Sequence, residues 1–289
     1  MSESVISRDE VVDRAADLPA FPRIVVEILA ALDDPDASLN LVADHIKHDP
    51  VITARVLSMA NSAASKSRRQ SMVRDVFTAT SLIGIGRVRE TTLTARIGHF
   101  ISGAVGTGRG TGFLQHCVAV GVCSEELALH VALHTPGDMA LVAGLLHDIG
   151  QLWMSRFRPR TSAETWSDAM GHTIGIDAAE RAHFGVDHGT IGAWLAEHWQ
   201  LPTPVIEAIR HHHDAGPERE ELLVPLLHVA EVLSNALDLG GRAENRVTYI
   251  SSSACSRLGL TWDDRALQLF GRIDARSAHA NQIFSAGQR

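Results

Sequence analysis

Apolar residues recur three and four apart along almost the whole chain, and the strict alternation of a half-buried strand is nearly absent. Pro22 opens a predicted helix carrying Ile24, Val25, Ile28, Leu29 and Leu32, which Asp33-Asp34-Pro35-Asp36 ends. Ser38 is placed to cap the next helix, with Leu39, Val42 and Ile46 on one face. Asp49-Pro50 reads as a cap followed by a first-turn proline, ahead of a stripe of Val51, Ile52, Val56, Leu57 and Met59. Two more helices are predicted around 73–83 and 87–101. Residues 103–112 then hold five glycines and break the rhythm. A phosphate-cradling glycine loop follows a strand, and none precedes this one, so the tract reads as a linker or loop. Helical spacing resumes near 114–130, 137–147, 187–198, 204–213 and 222–237. Leu201-Pro202-Thr203-Pro204 makes a stiff joint, Gly240-Gly241 a further break, and a last helix falls near 263–273. The predicted fold class is all-α.

Composition narrows the partners. With 289 residues, 45% hydrophobic and 21% charged, the chain is an ordinary globular protein. Its net charge of −8 disfavours nucleic acid or an anionic membrane as the main partner, because phosphate neutralisation needs clustered cations. The one basic cluster, Lys66-Ser67-Arg68-Arg69 with Arg74 nearby, lacks interleaved aromatics in a chain with a single tyrosine and reads as a solvated loop. Met1-Ser2-Glu3-Ser4 lacks the charged-then-apolar pattern of a signal peptide, and no uncharged stretch is long enough for a bilayer. Cys117, Cys123 and Cys255 have no Cys-x-x-Cys spacing and are odd in number, which fits a reduced, cytoplasmic compartment.

His147-Asp148 carries the most chemistry. It follows the uncharged run 139–146 and precedes Gly150, so an imidazole and a carboxylate are delivered at a helix end into an apolar interior. Near such an end, consecutive residues can face one centre. Two ligands do not complete a metal site, and the others must come from other helices. His116 and Glu231, the latter within Val229-Ala230-Glu231-Val232, are available for this. His188 and the run His211-His212-His213 offer a second ion position or a phosphate contact. His228 lies at helical spacing from Glu231 and reads as a packed core histidine. His99, His130, His134, His172, His183, His198 and His279 read as core or surface residues.

The order His116, His147-Asp148, His188, His212-His213 and Glu231 resembles the HD metal-dependent phosphohydrolase superfamily. More narrowly, the chain resembles the HDOD (HD-related output domain) family of bacterial signalling proteins. The carriers are Leu18-Pro19-Ala20-Phe21-Pro22, Ala60-Asn61-Ser62-Ala63 and Ala143-Gly144-Leu145-Leu146-His147-Asp148-Ile149-Gly150. Gly185-Val186-Asp187-His188, Trp199-Gln200-Leu201-Pro202 and Ala208-Ile209-Arg210-His211-His212-His213 complete the match, from about Leu18 to about Leu239. The resemblance implies an HD-like helical bundle with a smaller N-terminal helical subdomain. The expected division is an extension at 1–17, the subdomain at 18–102, the linker at 103–112, the bundle at 113–240 and a helical extension at 241–289.

The resemblance also implies site residues. His116, His147, Asp148 and Glu231 match the ligands of one metal, and His188 with His212 or His213 those of a second, the ions being iron, manganese or zinc. Asp148 and His188 are the candidate catalytic residues. Three departures stand against turnover of a cyclic dinucleotide. Glu231 replaces an aspartate, Gln151 stands where those phosphodiesterases carry lysine, and Asp214-Ala215-Gly216-Pro217 replaces their Gly-Tyr-Pro signature. The expected function is therefore a regulatory or scaffold protein of bacterial signal transduction, metal-binding and not an enzyme. Its expected partners are signalling proteins, a nucleotide or cyclic-dinucleotide ligand, and further copies of itself. The alternative is a metal-dependent phosphohydrolase acting on a nucleotide or cyclic dinucleotide.

Overall fold

The computed structural model describes residues 5–32, 34–66, 72–105, 110–131, 136–172, 174–214, 221–240 and 249–286. Among these the chain is all-α and forms no strand. The helices are α1 (Arg8–Ala15), α2 (Arg23–Ala30), α3 (Pro35–Lys47), α4 (Pro50–Lys66), α5 (Val76–Ile83), α6 (Ile85–Val105), α7 (Gly110–His130) and α8 (Gly137–Leu146). They continue as α9 (Ile149–Phe157), α10 (Pro159–His172), α11 (Ile176–Phe184), α12 (His188–His198), α13 (Thr203–His211), α14 (Leu223–Ala236), α15 (Ser252–Arg257) and α16 (Asp264–Ala286). No helix among the described residues is long and apolar enough to cross a membrane. By internal contacts the chain divides into a smaller unit, Pro22–Ile97, and a larger one, Met1–Phe21 with Gly98–Arg289.

In the smaller unit, helices bury one face each. α2 buries Ile24, Val25, Ile28 and Leu29. α3 begins at Pro35, so Ser38 lies inside the helix and is not its cap, because the fixed φ of a first-turn proline starts the helix earlier. Asp49 does cap α4: its Oδ1 accepts from the backbone N–H groups of Val51 (2.9 Å) and Ile52 (3.0 Å). Arg96 closes the same corner at 2.7 Å from Asp49 Oδ2. Asn61 pins the segment before α5, giving its amide to Val73 O (3.0 Å) and accepting from Val73 N–H (2.8 Å). Val51, expected on the apolar stripe, instead faces out with Met72 and Phe77, at 58%, 70% and 66% exposure.

The larger unit is built around α8. Every α8 residue from Ala140 to Leu146 is buried, so this helix has no solvent face and forms the bundle centre. α7 crosses it closely, and a Cβ built on Gly144 would lie 2.6 Å from Gly121 Cα. α12, α13, α9 and α14 complete the packing. α16 is bound to α7 by charge: Arg272 and Arg276 donate to Glu126 at 2.8 and 2.6 Å, and Arg276 also to Glu125. α1 is capped by Ser7 and pairs with the bundle through Arg8–Glu197 and Glu10–Arg158.

The apolar spacing alone does not reveal α1, α9, α10, α11 or α15, and it stops α16 more than two turns early. Helices reach into the glycine tract from both ends. Gly103 lies within α6, Gly110 and Gly112 within α7, and residues 106–109 fall outside the described residues. Residues 67–71 of the basic cluster, His134, the stretch 215–217 and Gly241 fall outside them as well.

Candidate metal centre

The chain turns at the His-Asp pair. His147 closes α8, and Asp148, at φ −94° and ψ 11°, leads directly into α9. Gly150 permits the next contact: a Cβ there would lie 2.0 Å from the carbonyl oxygen of His188, so only glycine lets α9 meet the start of α12. Asp187 caps α12, its Oδ1 accepting from Thr190 N–H at 2.9 Å, which places His188 in the first turn. His212 ends α13 in helical conformation, and His213 follows it. α7 supplies His116 and α14 supplies Glu231.

These side chains form two groups. His116, His147 and Glu231 present donor atoms within 4.8 Å of one another, and so do His188, His212 and His213. Asp148 lies between the groups. Its Oδ2 is 3.6 Å from His116 Nε2 and 3.5 Å from His147 Nε2, while its Oδ1 is 3.5 Å from His188 Nε2. His116, His147, Asp148, His188 and His212 are each at most 1% exposed. Glu231 also reaches His213, with Oε2 at 3.9 Å from Nδ1.

Hydrogen bonds to the far ring nitrogens orient the imidazoles. His147 Nδ1 donates to Gly144 O at 2.8 Å and His212 Nδ1 to Ile209 O at 2.7 Å, so each Nε2 carries a lone pair. These lone pairs point at other imidazole nitrogens. His147 Nε2 is 3.2 Å from His116 Nε2, and His188 Nε2 is 3.1 and 2.9 Å from the Nε2 atoms of His212 and His213. Such an arrangement is repulsive unless a proton or a cation sits between the rings. Ligands about 2.0–2.1 Å from one ion lie roughly 2.9–3.4 Å apart in octahedral or tetrahedral geometry, which is the spacing seen. The donor set therefore fits two borderline divalent ions.

The electrostatics differ within the three-histidine group. Burial opposes charge on His188, but Glu180, with Asp148 and Glu231, outweighs it and raises His188 to about 9. Burial, then the neighbouring histidines, holds His212 and His213 well below the ordinary imidazole value. Burial likewise lowers His228, whose Nδ1 donates to His212 O at 3.0 Å.

All six sequence-predicted site residues, His116, His147, Asp148, His188, His212 and Glu231, come together here. The choice between His212 and His213 dissolves, since both turn Nε2 toward His188. His211 faces away to Glu207 at 3.6 Å. Gln151 is buried one turn into α9. Sequence reading missed Glu180, whose Oε2 accepts from both the backbone N–H (2.8 Å) and the Nδ1–H (2.5 Å) of His188. The available signal was Ile176, Glu180 and Phe184, a four-residue spacing that sets a carboxylate in an apolar stripe.

A model of the HDOD domain family matches residues 18–215, which contain every one of these donors except Glu231. The chain belongs to the HDOD domain family. This HDOD chain is 26% identical over 235 residues to an uncharacterized protein of Treponema pallidum, covering 79% of this chain and 44% of that one. It is 30% identical over 158 residues to ribonuclease Y of Thermus thermophilus, covering 53% of this chain and 21% of that one. It thus spans less than half the length of these curated relatives. Among solved structures, an HDOD domain protein from Geobacter sulfurreducens superposes with a TM-score of 0.72 at 24% identity, covering 95% of this chain and 96% of that one. A protein named as a phosphohydrolase from Shewanella amazonensis gives 0.65 at 22%, covering 94% and 95%. One named for signal transduction from Marinobacter aquaeolei gives 0.67 at 20%, covering 99% and 62%. At such identities the likeness shows the fold of the HDOD chain and nothing finer.

Proposed function

We propose that this HDOD protein is a regulatory component of bacterial signal transduction. In this reading it holds two divalent transition-metal ions and acts through protein contacts rather than turnover. The observation that carries the metal reading is the pair of three-donor groups facing the two oxygens of Asp148. His116, His147 and Glu231 would hold one ion, His188, His212 and His213 the other, and Asp148 would share its carboxylate between them. An ion bound by side chains from several helices fastens those helices together. Gln151 supports the non-catalytic half of the reading, since it brings no cation for a phosphate where related phosphodiesterases carry lysine. The contact surface falls to the apolar residues Val51, Met72 and Phe77 of the smaller unit, with other signalling proteins or a second copy as partners. Elemental analysis of protein purified without chelators tests the metal, with two ions per chain expected. Hydrolysis of nucleotides or phosphodiesters by that protein, abolished by His147→Ala, would overturn the regulatory role.

A second reading, a metal-dependent phosphohydrolase acting on a nucleotide or cyclic dinucleotide, is favoured by one feature. Each group offers three side chains besides the shared Asp148, which leaves room in a coordination sphere for water. Bound ions supply an activated water and polarise a phosphoryl oxygen. Asp148 and His188, facing each other at 3.5 Å, would position the reacting groups. The names of the Thermus and Shewanella relatives point the same way.

A further inference from the structure

Three histidines of the centre have a defined partner on the nitrogen turned away from it, and the partners differ in kind. His147 and His212 each give Nδ1–H to a backbone carbonyl, a neutral acceptor. His188 alone gives Nδ1–H to a buried carboxylate, Glu180, which is 2% exposed. The same oxygen, Oε2, also takes the backbone N–H of His188. One atom therefore fixes both the start of α12 and the orientation of the ring that α12 presents. A carboxylate behind an imidazole also makes the opposite nitrogen a better donor, because negative charge is shared through the ring. Glu180 stands on α11, outside both three-donor groups.

We propose that Glu180 is a positioning residue. It locks His188 with Nε2 turned toward His212 and His213 and thereby sets the cation affinity of the three-histidine position alone. In the His116–His147–Glu231 position the Nδ1–H of His147 goes to the Gly144 carbonyl, and Glu180 touches none of the three, so that position is left unaffected. This inference rests on the two-ion reading above.

The test is a titration of the full chain with Zn2+ against a chromophoric chelator, with far-UV circular dichroism as the check on folding. Wild type is expected to take two ions. Glu180→Ala should weaken one of the two by about 10–100-fold and leave the other within about two-fold. Glu180→Gln keeps an oxygen that can accept from both N–H groups but removes the charge, so it should recover part of that loss. The same ranking should hold in His147→Ala protein, where the three-histidine position is isolated. If Glu180→Ala does not fold, Glu180→Gln carries the test through the same single weakened step. Folded variants that bind both ions as wild type does, or that lose both equally, overturn the role of Glu180. Wild type that takes up no Zn2+ overturns the metal reading itself, and this inference with it.

Discussion

The larger unit and the smaller unit are both all-helical, yet they use their polar residues in opposite ways. Around α8 the larger unit buries histidines and carboxylates, and glycines replace side chains where helices meet. The smaller unit keeps polar groups at corners, as Asp49 and Asn61 do, and leaves Val51, Met72 and Phe77 in solvent. An interior that holds charge must be rigid, because each buried polar atom needs its partner in place. A unit with outward apolar residues keeps a surface for contact. The buried polar centre and these outward apolar residues thus belong to different units of the chain.

The largest expected break from a single substitution in that contrast is Gly150→Ala. The added methyl would meet the His188 carbonyl, and we expect a loss of about 3 kcal/mol in denaturant unfolding. Gly86→Ala in the smaller unit meets nothing within 4 Å and should change stability by no more than about 0.5 kcal/mol. Equal effects from the two would erase the distinction.

Metal removal comes next. Zn2+ at a hundredfold excess over its dissociation constant should stabilise the folded chain by about 2.7 kcal/mol per position. Adding a chelator should therefore lower the thermal midpoint, and His147→Ala should blunt that response. A midpoint indifferent to chelator would remove the centre from the stability of the bundle.

Arg276→Ala leaves Glu125 and Glu126 short of a cation on α7. The expected loss is about 2 kcal/mol, less than for a fully isolated buried pair because Arg272 still faces Glu126. Burial raises the Glu126 carboxyl, but hydrogen bonds from Arg276 and Arg272 outweigh that and leave it below its ordinary value. Its folded value lies below its unfolded one, so its stabilisation is complete above the unfolded value, about 4.3, and fades as pH falls toward the folded one. Unfolding midpoints measured between pH 6 and 3 should converge for wild type and Arg276→Ala at the acid end. The smallest effect belongs to Phe77→Ser, within about 0.5 kcal/mol, with any phenotype confined to partner capture.

Much of this was legible in the order of residues. The apolar run before His147 predicted a helix with no solvent face, and α8 is that helix. The six predicted donors came together because their spacing fits one family whose fold joins distant helices. α10 and α11 were not legible, since their buried positions are few and mixed with charge, as in Ala179-Glu180-Arg181. The glycines at 103–112 mark the tract in which α6 ends and α7 begins, but composition does not show how far packing carries each helix into it. Glu180 escaped notice because its partner is set by the meeting of α11 and α12, which no local pattern encodes.

The seven donors come from α7, the α8–α9 corner, α12, the end of α13, and α14. An ion held between them would act as a rivet through most of the bundle. Swapping any single donor would then loosen several helices together, whether or not the chain turns over a substrate. A His-Asp pair kept for such a rivet would stay in place even where no chemistry required it, as a keystone outlasts the scaffolding around an arch.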